Sequence, residues 1–371
     1  LMAFDSASSC DHRPAQRRNK LWTILLATLL VVGRSDPIAA QSDDEPTKAA
    51  IGRAIDFLLT QQKDSGAITM GQHDTAMTAL SIMSMASVGT TASDPTPRGK
   101  AMRRALDFVL QDDRRNKEGY FGEKDGSRMY GHGITTLMLS EMLGMGADQQ
   151  QDEKIERACR EGIDLILKAQ RRSKQGAYRG GWRYTPDAAD SDLSVSVWQL
   201  MALRSAKTDG IDVPSSAIEL AIQYLKRSCT APLDPSGTPT KEITGFAYTP
   251  GSGDIQYSMT AAGILAMQVC GQYDSPLVAQ ATKWLQDHPP AWGTRYFLYG
   301  TYYYAQGMHQ QGGEVAETAR RLVREALLPK QNPDGGWTPE GEEAGGSRIY
   351  ATSMAILSLS VDHHYLPIYQ R

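Results

Sequence analysis

Hydrophobic positions along this chain fall into two kinds of segment that alternate. In residues 49–62, Ile51, Ala54, Ile55, Leu58 and Leu59 recur at three- and four-residue spacing, which puts them on one face of a helix. In residues 349–359, Met354, Ile356, Leu357 and Leu359 leave almost no polar face, which predicts a buried helix. Half-polar segments return at 101–111, 154–170, 216–227, 276–287 and 320–328. Apolar ones follow each of them, at 75–87, 133–143, 194–204, 258–269, a Tyr-rich run from Tyr296 to Tyr304, and 349 onward. Turn chemistry separates the partners: Gly66, Gly119-Tyr120-Phe121, Gly180-Gly181-Trp182, a Pro/Gly-rich loop at 231–253, and Pro333-Asp334-Gly335. The half-polar segments start roughly 50–60 residues apart, with a shorter fifth unit, so the pattern is one of stacked helix pairs. No stretch sustains the period-two alternation of a strand. The expected fold is an all-α toroid of about six helical hairpins. Ring closure is expected because it hides every apolar helix and leaves no end repeat to cap.

Composition narrows the function classes. The 371 residues carry a formal charge of −3, with no basic stripe interleaved with aromatics, so nucleic acid is not an expected partner. Cys10, Cys159, Cys229 and Cys270 form no C-x-x-C pair and have no nearby His, so neither a zinc finger nor a redox dithiol is expected. Arg17-Arg18-Asn19-Lys20 precedes an apolar run at 21–33 that is too short for a comfortable membrane span, and Ile38-Ala39-Ala40 follows. Residues 1–40 therefore read as an export signal, and 41–371 as a single toroid domain in the periplasm or outside the cell. An uncleaved anchor at 21–33, holding the protein near a membrane, is the alternative.

Six hairpins with Gln-x-x-x-Gly-x-Trp turns resemble the terpenoid cyclase and protein prenyltransferase superfamily, with squalene–hopene cyclase-like repeats in a single barrel. Gln331, Gly335 and Trp337 match that turn residue for residue. Gly180 and Trp182 keep its second half, with Gln170 farther back, and Gly119 and Phe121 keep only its shape. The resemblance implies that such a Gln bonds the neighbouring helix end and that the Trp stacks against it. In the cyclase branch an Asp-x-Asp-Asp-Thr stretch donates a proton to an alkene or epoxide. The matching residues here are Asp190-Ser191-Asp192-Leu193-Ser194. The resemblance makes Asp192 the acid, with Asp190 as the neighbour that raises its pKa. Leu193 replaces the third carboxylate, and cyclases of the hopene type have two barrels. A simpler reading of Asp192 is a helix N-cap, a role that favours the ionised form. The zinc site of the prenyltransferase branch has no Asp…Cys counterpart, so neither metal nor cofactor is expected.

Aligning the apolar helices on their first turn brings His73, His132, Leu193, Tyr257, Tyr299 and Tyr350 to one position, near one mouth of a closed ring. With Trp182 on an approaching turn, His132, Tyr257, Tyr299, Arg348 and Tyr350 are the candidate ligand-binding residues. Aromatic faces suit a hydrophobic polyene, while Arg295 and Arg348 suit an anionic head. The other reading is that these aromatics only seal the core. The functional expectation is a toroid that binds an isoprenoid-like or other hydrophobic molecule in an apolar cavity, with reduced or no cyclase activity. An active cyclase using Asp192 and a glycan-active toroid are the alternatives.

Overall fold

The computed structural model describes residues 37–363 and 365–369. Most of the leader reading, residues 1–36, lies outside that range. Among the described residues the α-helices come in six pairs: α1 (Pro37–Thr60) with α2 (Asp74–Ala86), α3 (Pro97–Val109) with α4 (Arg128–Glu141), α5 (Gln149–Gln170) with α6 (Leu193–Thr208), α7 (Ser215–Arg227) with α8 (Tyr257–Val269), α9 (Pro276–Asp287) with α10 (Phe297–His309), and α11 (Gly313–Leu327) with α12 (Arg348–Leu359). Even-numbered helices form the inner ring. From residue 75 to its end α2 is buried on every side, and from residue 258 so is α8. Odd-numbered helices bury one stripe, as α11 does with Ala316, Ala319, Val323 and Leu327. Two buried hydroxyls of α2 bond to their own helix: Ser81 and Ser84 donate to the carbonyls of Met77 and Leu80, each over 2.9 Å.

Inner helices pack in chain order, and α12 closes on α2 while α1 lies against α12. The fold is an all-α toroid. Among the described residues no strand forms, and no helix is long and apolar enough to cross a membrane.

One set of bonds fastens three of the turns to the next outer helix. Gln331 Nε2 donates to the carbonyls of Gly335 and Ala50, each at 2.8 Å, so the last turn is tied to the first helix. Gln170 Nε2 does the same with Gly180 (3.0 Å) and Ala217 (2.9 Å), despite its greater distance from the Gly in sequence. Gln62 repeats it with Gly66 (3.0 Å) and Ala101 (2.8 Å). The glycines are dictated by close approach. A Cβ on Gly335 would sit 2.4 Å from the Arg53 carbonyl oxygen, and one on Gly180 2.2 Å from that of Leu220, at φ of 90° and 94°. Both tryptophans point away from the ring's centre: Nε1 of Trp337 donates to Leu327 O and that of Trp182 to Ile166 O, each over 2.9 Å.

Helix α4 begins at Arg128, five residues ahead of the apolar run predicted from residue 133. Its first turn puts Tyr130 on the central space and buries Met129 and His132, a mixture without the apolar signature of the rest.

Candidate functional site

The first turns of the inner helices surround a central cavity of about 1050 Å³, at the upper end of the roughly 300–1,000 Å³ usual for small-molecule sites. Helical geometry decides what faces it. Residues four apart share a helix face, and the wall is built from such pairs: Tyr130 and Ile134 on α4, Ser194 and Trp198 on α6, Tyr350 and Met354 on α12, joined by Met77 on α2 and by His73 just ahead of it. Met259 and Tyr299 come from α8 and α10. Tyr184 and Tyr248 come from the loops before α6 and α8, and Arg295, Tyr296, Glu342 and Glu343 from those before α10 and α12.

A second position on five of the six inner helices fixes this register. Thr78, His132, Ser196, Thr260 and Thr352 each accept the backbone N–H of a turn residue: Ile68 (3.0 Å), Phe121 (3.4 Å), Trp182 (2.8 Å), Phe246 (3.1 Å) and Trp337 (3.0 Å). These side chains face the outer helices. Two residues earlier the helix has turned by about 200°, and there stand Tyr130, Ser194 and Tyr350. The cavity thus receives Tyr130, and His132 is turned away from it.

His132 is fully buried against α5. Its Nδ1 accepts from Phe121, and its Nε2–H donates to Gly162 O over 3.1 Å. Burial brings its pKa down to about 4, and it stays neutral. Trp182 is buried against α5 as well. Tyr257 leans on Tyr304 between α8 and α10, with ring centroids 6.1 Å apart, and is not part of the cavity wall. Arg348 grips Asp334 with both terminal nitrogens (2.9 and 2.7 Å) and covers the Phe57 ring at 4.5 Å. Of the predicted ligand-binding residues, Tyr299 and Tyr350 reach the wall.

Asp192 is the N-cap of α6 and is fully buried. Its Oδ1 accepts from the Val195 N–H (2.9 Å) and the Ser194 hydroxyl (2.6 Å), and its Oδ2 faces Arg183 Nη1 at 3.3 Å. Burial raises its pKa, against the pull of those donors and of Arg183. Ser194 lines the cavity; Asp192 lies behind it. Asp190 is half-exposed and pairs with Arg183 Nε at 3.4 Å.

Glu343 was not visible as a functional residue in the sequence, where it belongs to a Gly/Glu-rich loop. It is buried beside the cavity and accepts three bonds, from the N–H groups of Leu298 (2.8 Å) and Tyr299 (3.1 Å) and from the Tyr350 hydroxyl (2.9 Å). It caps α10 from another hairpin. Burial raises its pKa against those three donors. At the rim, His73 and Tyr296 hold left-handed backbone (φ 63° and 51°) immediately before α2 and α10, a conformation that costs a non-glycine residue about 1–3 kcal/mol. His73 Nδ1 bonds the Asp125 carbonyl at 2.8 Å; that oxygen can only accept, so Nδ1 carries the proton. Among the described residues no three His, Cys, Asp or Glu side chains gather as a metal site.

No family model and no curated protein sequence matches the chain. Solved structures do. A type II terpene cyclase, MstE from Scytonema, captured as an Asp→Asn variant with geranylgeranyl dihydroxybenzoate, is 16% identical; the match covers 88% of this chain and 99% of that one, with a TM-score of 0.55. An inactive variant of the GH76A α-1,6-mannanase of Salegentibacter sp. HEL1_6, in complex with α-1,6-mannotriose, is 11% identical over 86% of this chain and 98% of that one, with a TM-score of 0.56. A protein from Actinoplanes is 16% identical over 85% and 99%, at 0.54. The chain has the α/α-toroid fold shared by type II terpene cyclases and GH76 mannanases.

Proposed function

We propose that this toroid binds an apolar small molecule of isoprenoid-like character in its central cavity, and that Asp192 serves as a helix cap rather than as a catalytic acid. One observation carries the reading. Six tyrosines line the cavity, and all but the rim residue Tyr296 spend the hydroxyl on protein: Tyr130 donates to Ser194 Oγ, Tyr299 to Ser194 O (2.9 Å), Tyr350 to Glu343 (2.9 Å), and Tyr184 and Tyr248 bond each other. What these leave to a ligand is ring surface, together with Trp198, Ile134, Met77, Met259 and Met354, alongside the polar Gln72, His73, Gln256, Arg295 and Ser347. The apolar part of this wall rewards burial of hydrocarbon, and the polar part suits one polar end of a ligand.

Cyclisation by Asp192 would need its proton to cross Ser194, because the carboxyl has no face on the cavity. A glycan-active reading draws support from Glu342 and Glu343, two adjacent carboxylates in the wall in unlike settings. Glu342 is exposed and lies 3.7 Å from Arg295, while Glu343 is buried. Both Glu343 oxygens accept backbone N–H bonds, a use that holds the carboxyl in place as a cap.

The test is to purify the protein from its native host, extract it with organic solvent and analyse the extract by mass spectrometry. A co-purifying polyprenoid or similar lipid is the expected result. A protein that carries no lipid, takes up none when supplied and binds oligosaccharides instead would end the apolar reading.

A further inference from the structure

We infer that the ligand of this cavity carries a cationic head, an amine or quaternary ammonium, seated among the tyrosine rings beside Glu343. The inference rests on the apolar-ligand reading and adds the chemistry of the ligand's polar end.

Counting charges around the cavity motivates it. Three carboxylates lie in or just behind the wall. Asp192 faces Arg183 at 3.3 Å and Glu342 faces Arg295 at 3.7 Å. Glu343, about nine-tenths buried, has no cationic partner among the described residues. Its three bonds come from two backbone N–H groups at the start of α10 and from a phenol. A helix N-terminus supplies only about half a positive charge, so among the described residues no full positive charge faces this carboxylate.

The surrounding rings can supply the rest of a cation site. With their hydroxyls turned onto protein atoms, Tyr130, Tyr299 and Tyr350 leave aromatic surface to the cavity, and an aromatic face attracts a positive charge through its quadrupole. The same mouth already uses this attraction: the Arg183 guanidinium lies 4.9 Å from the Tyr184 ring centroid and 5.5 Å from that of Tyr248. Those two rings are therefore engaged, and Tyr130, Tyr299 and Tyr350 have no cation over them among the described residues. An anionic head would meet Glu343 without compensation. Of the two arginines that could have received one, Arg348 is committed to Asp334 and Arg295 faces Glu342 at 3.7 Å.

The experiment uses three probes with one tail: decyltrimethylammonium, the neutral decyldimethylphosphine oxide and decyl sulfate, each below its micelle concentration, titrated calorimetrically. We expect the ammonium to bind about tenfold more tightly than the phosphine oxide, with the sulfate weakest. Glu343→Gln, which keeps an acceptor for the α10 end, should bring the ammonium down to the level of the phosphine oxide and leave the latter unchanged. Equal binding of all three probes, or an ammonium preference that survives Glu343→Gln, overturns the cationic head and leaves the apolar reading standing. Binding of none overturns both. If Glu343→Gln does not fold, Tyr130→Leu takes its place. Loss of one ring should shrink the ammonium's advantage over the phosphine oxide, and an undiminished advantage would count against the inference.

Discussion

Ser194 stands between Asp192 and the cavity: its hydroxyl donates to Asp192 Oδ1 over 2.6 Å while accepting from the Tyr130 phenol on the cavity side. This relationship separates the two roles open to an Asp-x-Asp stretch ahead of an inner helix. An acid catalyst needs a protonated carboxyl facing substrate. Here the carboxyl faces Val195, Ser194 and Arg183, which are partners of an ionised cap.

Asp192→Asn should therefore change stability by less than about 1 kcal/mol, because Asn caps as well as Asp and avoids the burial of a charge. Asp192→Ala should cost about 1–2 kcal/mol, since it removes the cap and leaves Arg183 without one of its two carboxylates. Urea denaturation of the three proteins measures both. Neither variant should change the affinity for an apolar ligand by more than a small factor. Turnover of a polyprenoid by the wild type that vanishes in Asp192→Asn would return the residue to catalysis.

Ring closure gives a second prediction. Gln331 ties the last turn to α1 through Ala50 O, and Gly335 lets that turn approach Arg53. Gln331→Ala leaves two carbonyls without this donor and should cost about 1–3 kcal/mol. Gly335→Ala should cost more, because it combines a left-handed φ with a Cβ 2.4 Å from backbone oxygen. Gln170→Ala should match Gln331→Ala, since its amide makes the same two bonds. A Gln170→Ala variant as stable as the wild type would show that the nine-residue excursion between Gln170 and Gly180 has made this tie dispensable.

The fold was legible because it rests on burial. Six apolar segments too hydrophobic to meet water, each paired with a half-polar one, leave few arrangements besides a ring. The cavity wall was not legible, because it rests on register. Aligning inner helices by their first apolar turn places His132 beside Tyr350, whereas the turn-bonding residues align Tyr130 with it. A slip of two residues turns a helix by about 200°. It exchanged a cavity tyrosine for a histidine that bonds Gly162 on an outer helix. Tyr257 was misplaced by one residue in the same way, since the position matching Tyr130 and Tyr350 on α8 is Ser258, two before Thr260. Glu343 had no sequence signal: a glutamate that caps a helix from another hairpin carries no local pattern. Gln62, by contrast, stands four residues before Gly66 and could have been read as a further Gln…Gly turn.

Two buried groups set a pH dependence of stability with opposite limbs. His132 titrates near 4 in the folded chain against an ordinary value near 6.5. Below 6.5 the unfolded chain takes up a proton that the folded one refuses, so stability falls as pH drops from 6.5 towards 4. Glu141 is fully buried, accepts from Ser205 and from the Ile368 N–H (3.2 Å), and is pushed up to about 8 by burial. Above its ordinary 4.5 the unfolded chain releases a proton that the folded chain keeps. Stability therefore falls as pH rises from 4.5 to 8 and levels off beyond. Glu141→Gln should be neutral at pH 4 and stabilising at pH 8, and His132→Gln should flatten the acid limb. Thermal melts across pH 4–9 give both limbs, and a Glu141→Gln gain that does not grow with pH would contradict the assignment.

The final prediction tests the register directly. Trp198 lies on the cavity wall with its other surface stacked on Tyr302 (centroids 5.6 Å apart, planes at 8°). Tyr257 is a large aromatic at the start of an inner helix too, yet it packs against Tyr304. If the cavity holds an apolar ligand, Trp198→Leu removes wall area that the ligand would bury. It should weaken binding by about tenfold, the equivalent of some 50–60 Å² of lost apolar contact. Tyr257→Leu should lower the melting temperature through lost core packing and leave the affinity of the folded protein unchanged. His132→Gln, whose side chain faces α5, should behave like Tyr257→Leu in the binding assay. The decisive comparison is affinity at a temperature where all three variants are folded. Equal weakening by Trp198→Leu and Tyr257→Leu would mean that the ligand sits between α8 and α10 instead of in the central cavity, and the alignment that places Tyr130, Ser194, Tyr299 and Tyr350 around one ligand would fall with it.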